Sequence, residues 1–271
     1  MNDRYAVIGN PVAHSRSPWI HAEFARATGQ YIDYGRIEAP LDAFARTVAA
    51  FRAAGGRGCN VTLPFKAEAF ALATDPTPRA RAARAANTLR FDGDGMDGGV
   101  AADNTDGAGL VNDLVRNLRR PLAGRRVLLM GAGGAAQGVI GPLLEAKPAT
   151  LVVANRTAPR ALELAARFEG VTGGSYAELA GKSFDLLVNA TSAGLSDQMP
   201  PLPRGVFAPG ALAYDMVYGR DTPFLAAARA AGAATADGLG MLVEQAAESF
   251  FFWRGVRPET RAVLAALRAA G

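Results

Sequence analysis

The chain has 271 residues, 49% of them hydrophobic and 20% charged, with a formal net charge of +4. That length holds one large domain or two ordinary ones, and the balance is that of a soluble globular protein with a core large enough to need no staples. A single cysteine, Cys59, excludes an internal disulfide framework, and two histidines, His14 and His21, with no Cys/His cluster leave no basis for a metal site. The opening Met1–Gly9 has no basic region ahead of an apolar run of signal-peptide length, and no segment approaches the ~20 apolar residues of a membrane span, so a cytoplasmic location is expected. The basic pairs Arg119-Arg120 and Arg125-Arg126 are interrupted by Pro121 and Gly124, which reads as solvated surface and not as a nucleic-acid track. The expected partner is a small molecule, and the chain itself a monomer or homodimer.

In chain order, Tyr5 to Ile8 reads as a strand. Ser17-Pro18 gives an N-cap with proline at the first helical position, and the helix runs to Gly29. Tyr31 to Ile37 reads as a second strand and Leu41 to Ala54 as a second helix, closed by Gly55-Gly56. Cys59 to Leu63 is extended, and Pro64 opens a third helix. Asn87 to Phe91 reads as a strand, followed by a glycine-rich, hairpin-like turn from Asp92 to Gly99.

A tighter alternation begins near Asp106. Ala108 to Leu118 is helical; Arg126 to Met130 is an unbroken apolar strand of the kind buried on both faces of a parallel sheet. A helix from Gly134 to Ala146, a strand at Thr150–Ala154, a helix from Ala158 to Phe168, and strands at Phe184–Asn189 and Ala211–Asp215 follow. Gly240 to Trp253 and Pro258 to Ala270 are helical. The pattern predicts a two-domain α/β protein: an N-terminal α/β domain of residues 1–105 joined by 241–271, and a doubly wound, Rossmann-type domain of residues 106–240.

After the strand ending at Met130 comes Gly131-Ala132-Gly133-Gly134-Ala135-Ala136, a G-x-G-x-x-G/A turn between strand and helix. In that context the glycines let backbone N–H groups approach a pyrophosphate at a helix N-terminus. The next strand ends in Asn155-Arg156-Thr157, followed by Arg160, with no carboxylate for a ribose 2′-hydroxyl and a guanidinium able to fork onto a 2′-phosphate. The cofactor predicted is NADP.

Only three of the 29 basic residues are lysines, at 66, 147 and 182. Arginine cannot release its proton in a protein, so a lysine in such a chain is a weak pointer to proton chemistry. Lys66, in Asn60-Val61-Thr62-Leu63-Pro64-Phe65-Lys66, lies in a helical first turn, where the dipole disfavours a cation. Asp106 in Asp103-Asn104-Thr105-Asp106-Gly107 supplies a carboxylate, or an N-cap. Asn87 reaches a ligand, caps a turn or pairs in the ladder. Ser15 and Ser17 stand at the mouth of a helix, an anion site or ordinary capping.

Val7-Ile8-Gly9-Asn10-Pro11 with Ser15-x-Ser17-Pro18, Asn60-Val61-Thr62-x-Pro64-x-Lys66, Asn87-Thr88, Asn104-Thr105-Asp106-Gly107, Asn155-Arg156-Thr157 and Asp237-Gly238-Leu239-Gly240-Met241-Leu242-Val243-x-Gln245-Ala246 together resemble the shikimate dehydrogenase family, in the family's order over residues 7 to 246. The resemblance implies an NADPH-dependent reduction of 3-dehydroshikimate to shikimate in a cleft between substrate and Rossmann domains. It implies that Ser15, Ser17 and Tyr218 hold the substrate carboxylate, that Thr62, Asn87 and Gln245 bind ring hydroxyls, and that Lys66 and Asp106 are the catalytic pair. Cofactor contacts are implied for Gly131, Ala132, Gly133, Gly134, Ala135, Asn155, Arg156, Thr157 and Arg160, and further for Thr191, Met216 and Gly240. One departure is Ala73–Pro78, where prolines stand in place of the acidic residue that relatives often carry. The rivals are a quinate/shikimate dehydrogenase using NAD, a folate dehydrogenase, and a non-catalytic NADP-binding sensor. Asn155-Arg156 argues against the first, the paired serines and Asn104–Gly107 against the second, and the retention of both Lys66 and Asp106 against the third.

Overall fold

The computed structural model describes residues 2–93, 98–191 and 198–270. It divides into two compact units, Met1–Gly109 with Leu242–Gly271, and Leu110–Met241. The seams lie at 109/110 and 241/242, within a few residues of the 105/106 and 240/241 expected from the sequence.

In the first unit, β1 (Asp3–Gly9), β2 (Ile32–Glu38), β3 (Gly56–Val61), β4 (Asp75–Pro76), β5 (Thr88–Phe91) and β6 (Val100–Asp103) form one sheet in the order β2-β1-β3-β5-β6-β4. β1 runs parallel to β2 and β3, and β5 antiparallel to β3 and β6. Helices α1 (Ser17–Thr28), α2 (Phe44–Ala53), α3 (Lys66–Ala71), α4 (Pro78–Ala83) and α5 (Asp106–Asn112) follow their strands, and α5 continues as a π-helical turn over Asp113–Asn117. Gly29 ends α1 in the left-handed region, φ 65°, where a glycine carries no Cβ penalty.

Three local expectations are corrected. Arg16, not Ser17, is the N-cap of α1; the Ser17 N–H donates to Ser15 Oγ at 3.2 Å, so the earlier serine satisfies that N–H. A turn over Pro40–Ala43, closed by Ala43 N–H to Pro40 O, delays α2 to Phe44. Pro64 sits in a turn, and α3 starts at Lys66. The Ala73–Pro78 loop carries β4 and leads into α4, whose N-cap Thr77 accepts the Ala80 N–H. The turn expected from Asp92 to Gly99 includes residues 94–97, outside the described residues; β5 and β6 on its flanks pair antiparallel.

The second unit is a six-stranded parallel sheet. β7 (Arg126–Met130), β8 (Thr150–Ala154), β9 (Val171–Gly174), β10 (Phe184–Asn189), β11 (Phe207–Asp215) and β12 (Ala234–Ala236) lie in the order β12-β11-β10-β7-β8-β9. Counted from β7, this is the 3-2-1-4-5-6 order of a dinucleotide-binding fold, with the strand order reversing between β7 and β10. The unbroken apolar run of β7 has a direct cause. Val127 and Leu129 enter one core with Val139, Ile140 and Leu143 of α6 (Gly134–Glu145) and Leu164 of α7 (Ala158–Ala165). Leu128 and Met130 enter the opposite core with Phe224 and Leu225 of α8 (Pro223–Ala230). Helices on both faces leave no side of the strand for a polar residue.

The chain returns to the first unit through α9 (Leu239–Arg254), followed by α10 (Arg261–Ala269). Trp253 stacks on Tyr5 with ring centroids 4.6 Å apart and donates its indole N–H to Leu89 O at 2.9 Å. Gly58 makes that room: a Cβ there would stand 2.8 Å from the indole nitrogen. No helix among the described residues is long and apolar enough to cross a membrane. A groove of about 540 Å³ runs along β2, lined by residues such as Arg4, Pro18 and Tyr34, and holds none of the candidate catalytic, substrate or cofactor residues.

His21 is wholly buried in this aromatic core, stacked on Tyr34 at 4.3 Å and 7°. Among the described residues neither ring nitrogen has a hydrogen-bond partner. Burial pushes the imidazole down to about 3, and Asn60 offsets only part of that. The ring is neutral when folded but titrates at 6.5 when exposed, so the unfolded chain binds the extra proton and stability falls as the pH drops from 6.5 towards 3. This one residue should make the protein about 2 kcal/mol less stable at pH 5 than at pH 7. Urea unfolding at the two pH values, with His21→Phe as comparison, reads the effect; equal pH slopes in both chains would show that the buried ring is not its source.

Candidate active site

Three loops at the carboxyl ends of the first unit's strands carry the candidate residues. After β1, the segment to α1 presents Ser15, half-buried, and Ser17, buried, with the Ser15 carbonyl gripped by the Arg36 guanidinium at 2.6 and 3.0 Å. After β3, the Thr62 N–H donates to Ile8 O, and Gly9 is required because a Cβ there would stand 2.3 Å from Thr62 Cγ2. The turn over 63–65 then delivers Lys66 to the first position of α3.

Lys66 Nζ donates to Asp106 Oδ2 at 2.5 Å, with side chains 16% and 7% exposed. Asn87 sits beside them. Its Nδ2 donates to Asp106 Oδ1 at 2.8 Å, to Thr105 Oγ1 at 2.8 Å and to Gln245 Oε1 at 3.2 Å, and its Oδ1 accepts the Thr105 N–H at 2.8 Å. Both carboxylate oxygens of Asp106 are thus held, one by a cation and one by an amide, which fixes the amine in place. The arrangement suits proton transfer: a titratable amine, partly exposed, on an immobilised carboxylate. Asp103, three residues earlier, is engaged elsewhere; Arg79 grips it with Nε at 2.6 Å and Nη2 at 2.5 Å, tying α4 to β6.

The structure therefore gathers Lys66, Asp106, Asn87 and Gln245 into one bonded group. It adds Asn60, Thr88, Thr105 and Ser249, all buried, which the sequence reading passes over as sites. The available signal was an asparagine inside the apolar strand ending Cys59-Asn60-Val61, and a serine on the apolar helix Gln245–Phe252.

In the second unit, Gly131 follows β7 with φ 108°, and a Cβ there would stand 3.1 Å from Ala190 O. Gly133 and Gly134 differ: a Cβ at either would meet no atom within 4 Å. Gly133 caps α6 with no side-chain hydrogen bond, and no acidic residue lies in the first turn. The Gly131 N–H is spent on Ala154 O at 2.8 Å, and the turn from Ala132 to Ala135 opens the helix with its N-terminal N–H groups, which fits a pyrophosphate. At the end of β8, Asn155 Nδ2 donates to Thr157 O at 3.0 Å, while Arg156, Thr157 and Arg160 are exposed. Arg156 lies close enough to Tyr176 to pull against the burial that pushes that phenol up to about 12. After β10, Thr191 donates its N–H at 3.2 Å and its hydroxyl at 2.7 Å to Asn189 Oδ1. Asn189 Nδ2 donates to Asp215 Oδ2 at 3.0 Å, and Asp215 also accepts the Val217 N–H, which sets the turn carrying Met216 and Tyr218. Gly240 has a packing reason of its own: a Cβ there would stand 2.0 Å from Asp113 Oδ1.

Comparison with known proteins agrees over the whole length. Family models match for the shikimate dehydrogenase substrate binding domain at residues 7–89, shikimate / quinate 5-dehydrogenase at 113–196, and the shikimate 5′-dehydrogenase C-terminal domain at 238–268. The shikimate dehydrogenase (NADP(+)) of Aromatoleum aromaticum is 61% identical, across 98% of this chain and 97% of its own. Among solved structures, the Ael1 enzyme of Pseudomonas putida superposes with a TM-score of 0.92 at 51% identity, covering 98% of each chain. The Thermus thermophilus shikimate 5-dehydrogenase in complex with NADP(H) and shikimate does so with a TM-score of 0.87 at 36% identity, over 99% of this chain and 100% of that one. On this full-length likeness, and with the dinucleotide fold described above, the chain belongs to the shikimate dehydrogenase family.

Proposed function

We propose that this protein is an NADP-dependent shikimate dehydrogenase, reversibly reducing 3-dehydroshikimate to shikimate on the route to chorismate and the aromatic amino acids. The observation that carries the reading is the Lys66–Asp106 pair at 2.5 Å, braced by Asn87, in a chain with full-length relatives of that name. The first unit is the substrate domain and the second the NADP domain. It acts in the cytoplasm as a monomer or homodimer.

The glycine turn after β7 would hold the pyrophosphate, Thr191, Met216 and Gly240 would add contacts, and Asn155, Arg156, Thr157 and Arg160 would surround the 2′-phosphate. NADPH bound there supplies a hydride to the C3 ketone. The alkoxide oxygen so formed needs one proton, and Lys66 donates it from Nζ; in the oxidative direction neutral Lys66 takes the hydroxyl proton back. Asp106 holds Lys66 and a ring hydroxyl, while Thr62, Asn87 and Gln245 orient the ring. Ser15, Ser17 and Tyr218 hold the carboxylate.

The direct test is reduction of NADP⁺ by the purified protein with shikimate, with quinate and NAD⁺ in parallel arms. Faster turnover with quinate, or equal use of NAD⁺, would move the chain to the broader dehydrogenases, and no turnover at all to the non-catalytic binders. Ser15→Ala should raise the KM for shikimate about 10-fold, the worth of one charge-assisted hydrogen bond, with kcat little changed. A loss confined to kcat would argue against carboxylate holding.

A further inference from the structure

The buried polar residues beside the reaction site form one hydrogen-bonded group that ends on Asp106. Tyr34 donates its hydroxyl to Asn60 Oδ1 at 2.7 Å. Asn60 Nδ2 lies 2.9 Å from Ser249 Oγ, 3.1 Å from Thr88 Oγ1 and 3.1 Å from Asn87 O. The Ser249 and Thr88 hydroxyls are 2.7 Å apart, and Thr88 Oγ1 lies 3.0 Å from Asn87 Oδ1. Asn87 Nδ2 reaches Asp106 Oδ1 at 2.8 Å. Thr88 and Ser249 are wholly buried.

The orientation of Asn87 follows from counting hydrogens. An ionised carboxylate only accepts, so it takes the nitrogen end of Asn87, leaving Oδ1 to accept from the Thr105 N–H and from Thr88. Ser249 Oγ has a single hydrogen and lies 3.0 Å from Gln245 O, which only accepts, so the single Thr88 hydrogen is shared between Ser249 Oγ and Asn87 Oδ1. Ser249 in turn accepts from Asn60, whose oxygen is taken by Tyr34. Turning Asn87 over would set its nitrogen against the Thr105 N–H and its oxygen against the carboxylate, and turning Asn60 over would set its oxygen against Asn87 O.

We infer that Tyr34, Asn60, Ser249 and Thr88 are positioning residues for the reaction proposed above: through the contacts of Thr88 and Asn60 with Asn87 they hold the nitrogen of its carboxamide on Asp106, and so fix the carboxylate that anchors Lys66. The inference rests on the proposed function for its kinetic consequence but not for its geometry. A purely architectural role, pinning β3, β5 and α9 together, would show as lost stability with unchanged chemistry.

Thr88 separates the two. Thr88→Val keeps the shape and removes the hydroxyl, whereas Thr88→Ser keeps the hydroxyl and removes a methyl group. Two readouts are taken on each: kcat for shikimate oxidation, well below the melting temperature, and the NMR signals of the Asn87 side-chain amide in the unliganded protein. Thr88→Val should lower kcat about 5-fold, the equivalent of one ordinary hydrogen bond, leave the KM for NADP⁺ unchanged and displace the Asn87 signals. Thr88→Ser should restore both. Wild-type kcat and unmoved Asn87 signals in Thr88→Val, or equal damage in Thr88→Ser, would overturn the inference. If the wild-type chain does not oxidise shikimate, the functional reading fails on its own, and the Asn87 signals still decide the positioning role. Should Thr88→Val fail to fold, Ser249→Ala removes the hydroxyl 2.7 Å from Thr88 and is read the same way.

Discussion

Lys66→Ala is expected to lower kcat for shikimate oxidation by about 10²- to 10⁴-fold, with a smaller change in KM. The amine has one carboxylate partner, and that partner's second oxygen is taken by Asn87, so no other described cation stands on the same carboxylate to replace it. The variant also leaves Asp106 buried without its counter-ion, which costs stability, so kcat is compared only under conditions where both proteins are folded by circular dichroism. Lys66→Arg is the sharper companion. A guanidinium keeps the charge on Asp106 but does not give up a proton near neutral pH, so this variant should fold better than the alanine one and turn over as poorly. Unchanged kcat in Lys66→Ala would remove the amine from the chemistry; near-normal kcat in Lys66→Arg would reduce its role to charge.

Arg156→Ala carries the second large effect. The end of β8 offers Asn155, Arg156 and Thr157, with Arg160 in the first turn of α7, and no acid among them. A guanidinium forked onto a 2′-phosphate makes charge-assisted bonds worth about 1.5–3 kcal/mol, so the KM for NADP⁺ should rise roughly 10- to 150-fold. The KM for NAD⁺, which has no phosphate to lose, should stay within about twofold of the wild type. The ratio of the two cofactors is the decisive measurement. A parallel rise for both would mean that Arg156 supports the loop and does not read the phosphate. Tyr176, which packs near this arginine, offers a fluorescence handle on whether the loop itself has moved.

The strands β7, β8 and β10 were legible to the residue, because burial on both faces demands apolar runs, which residues 127–130, 151–154 and 186–188 supply. β9, β12 and β6 were not. Val-Thr-Gly-Gly, Ala-Thr-Ala and Val-Ala-Ala-Asp carry too few large apolar residues for any period to emerge, and it is pairing with a neighbour that makes them strands. α8 was announced by Thr222-Pro223, a cap and a first-turn proline, and was passed over. The glycine turn was readable from its flanks. The meeting of Lys66 with Asp106 was not, since no local rule brings together side chains 40 positions apart, and only likeness to a family suggested it. Asn60, Thr88 and Ser249 were hidden for another reason: in a sequence such residues read as caps and turns, and their burial is a property of the assembled sheet.

The return of α9 to the first unit has a consequence for how the protein is made. Asn60 meets Ser249 across 189 positions, and Gly109 lies against Gln245, where a Cβ would stand 2.6 Å from that residue's own Cβ. A nascent chain that has emerged as far as Gly240 already contains Lys66, Asp106 and the whole parallel sheet, yet the lysine's surroundings lack an entire wall. The ribosome thus releases the nucleotide-fold insert first and the chemistry last, and premature termination anywhere before Ser249 leaves the polar interior of the first unit open to water.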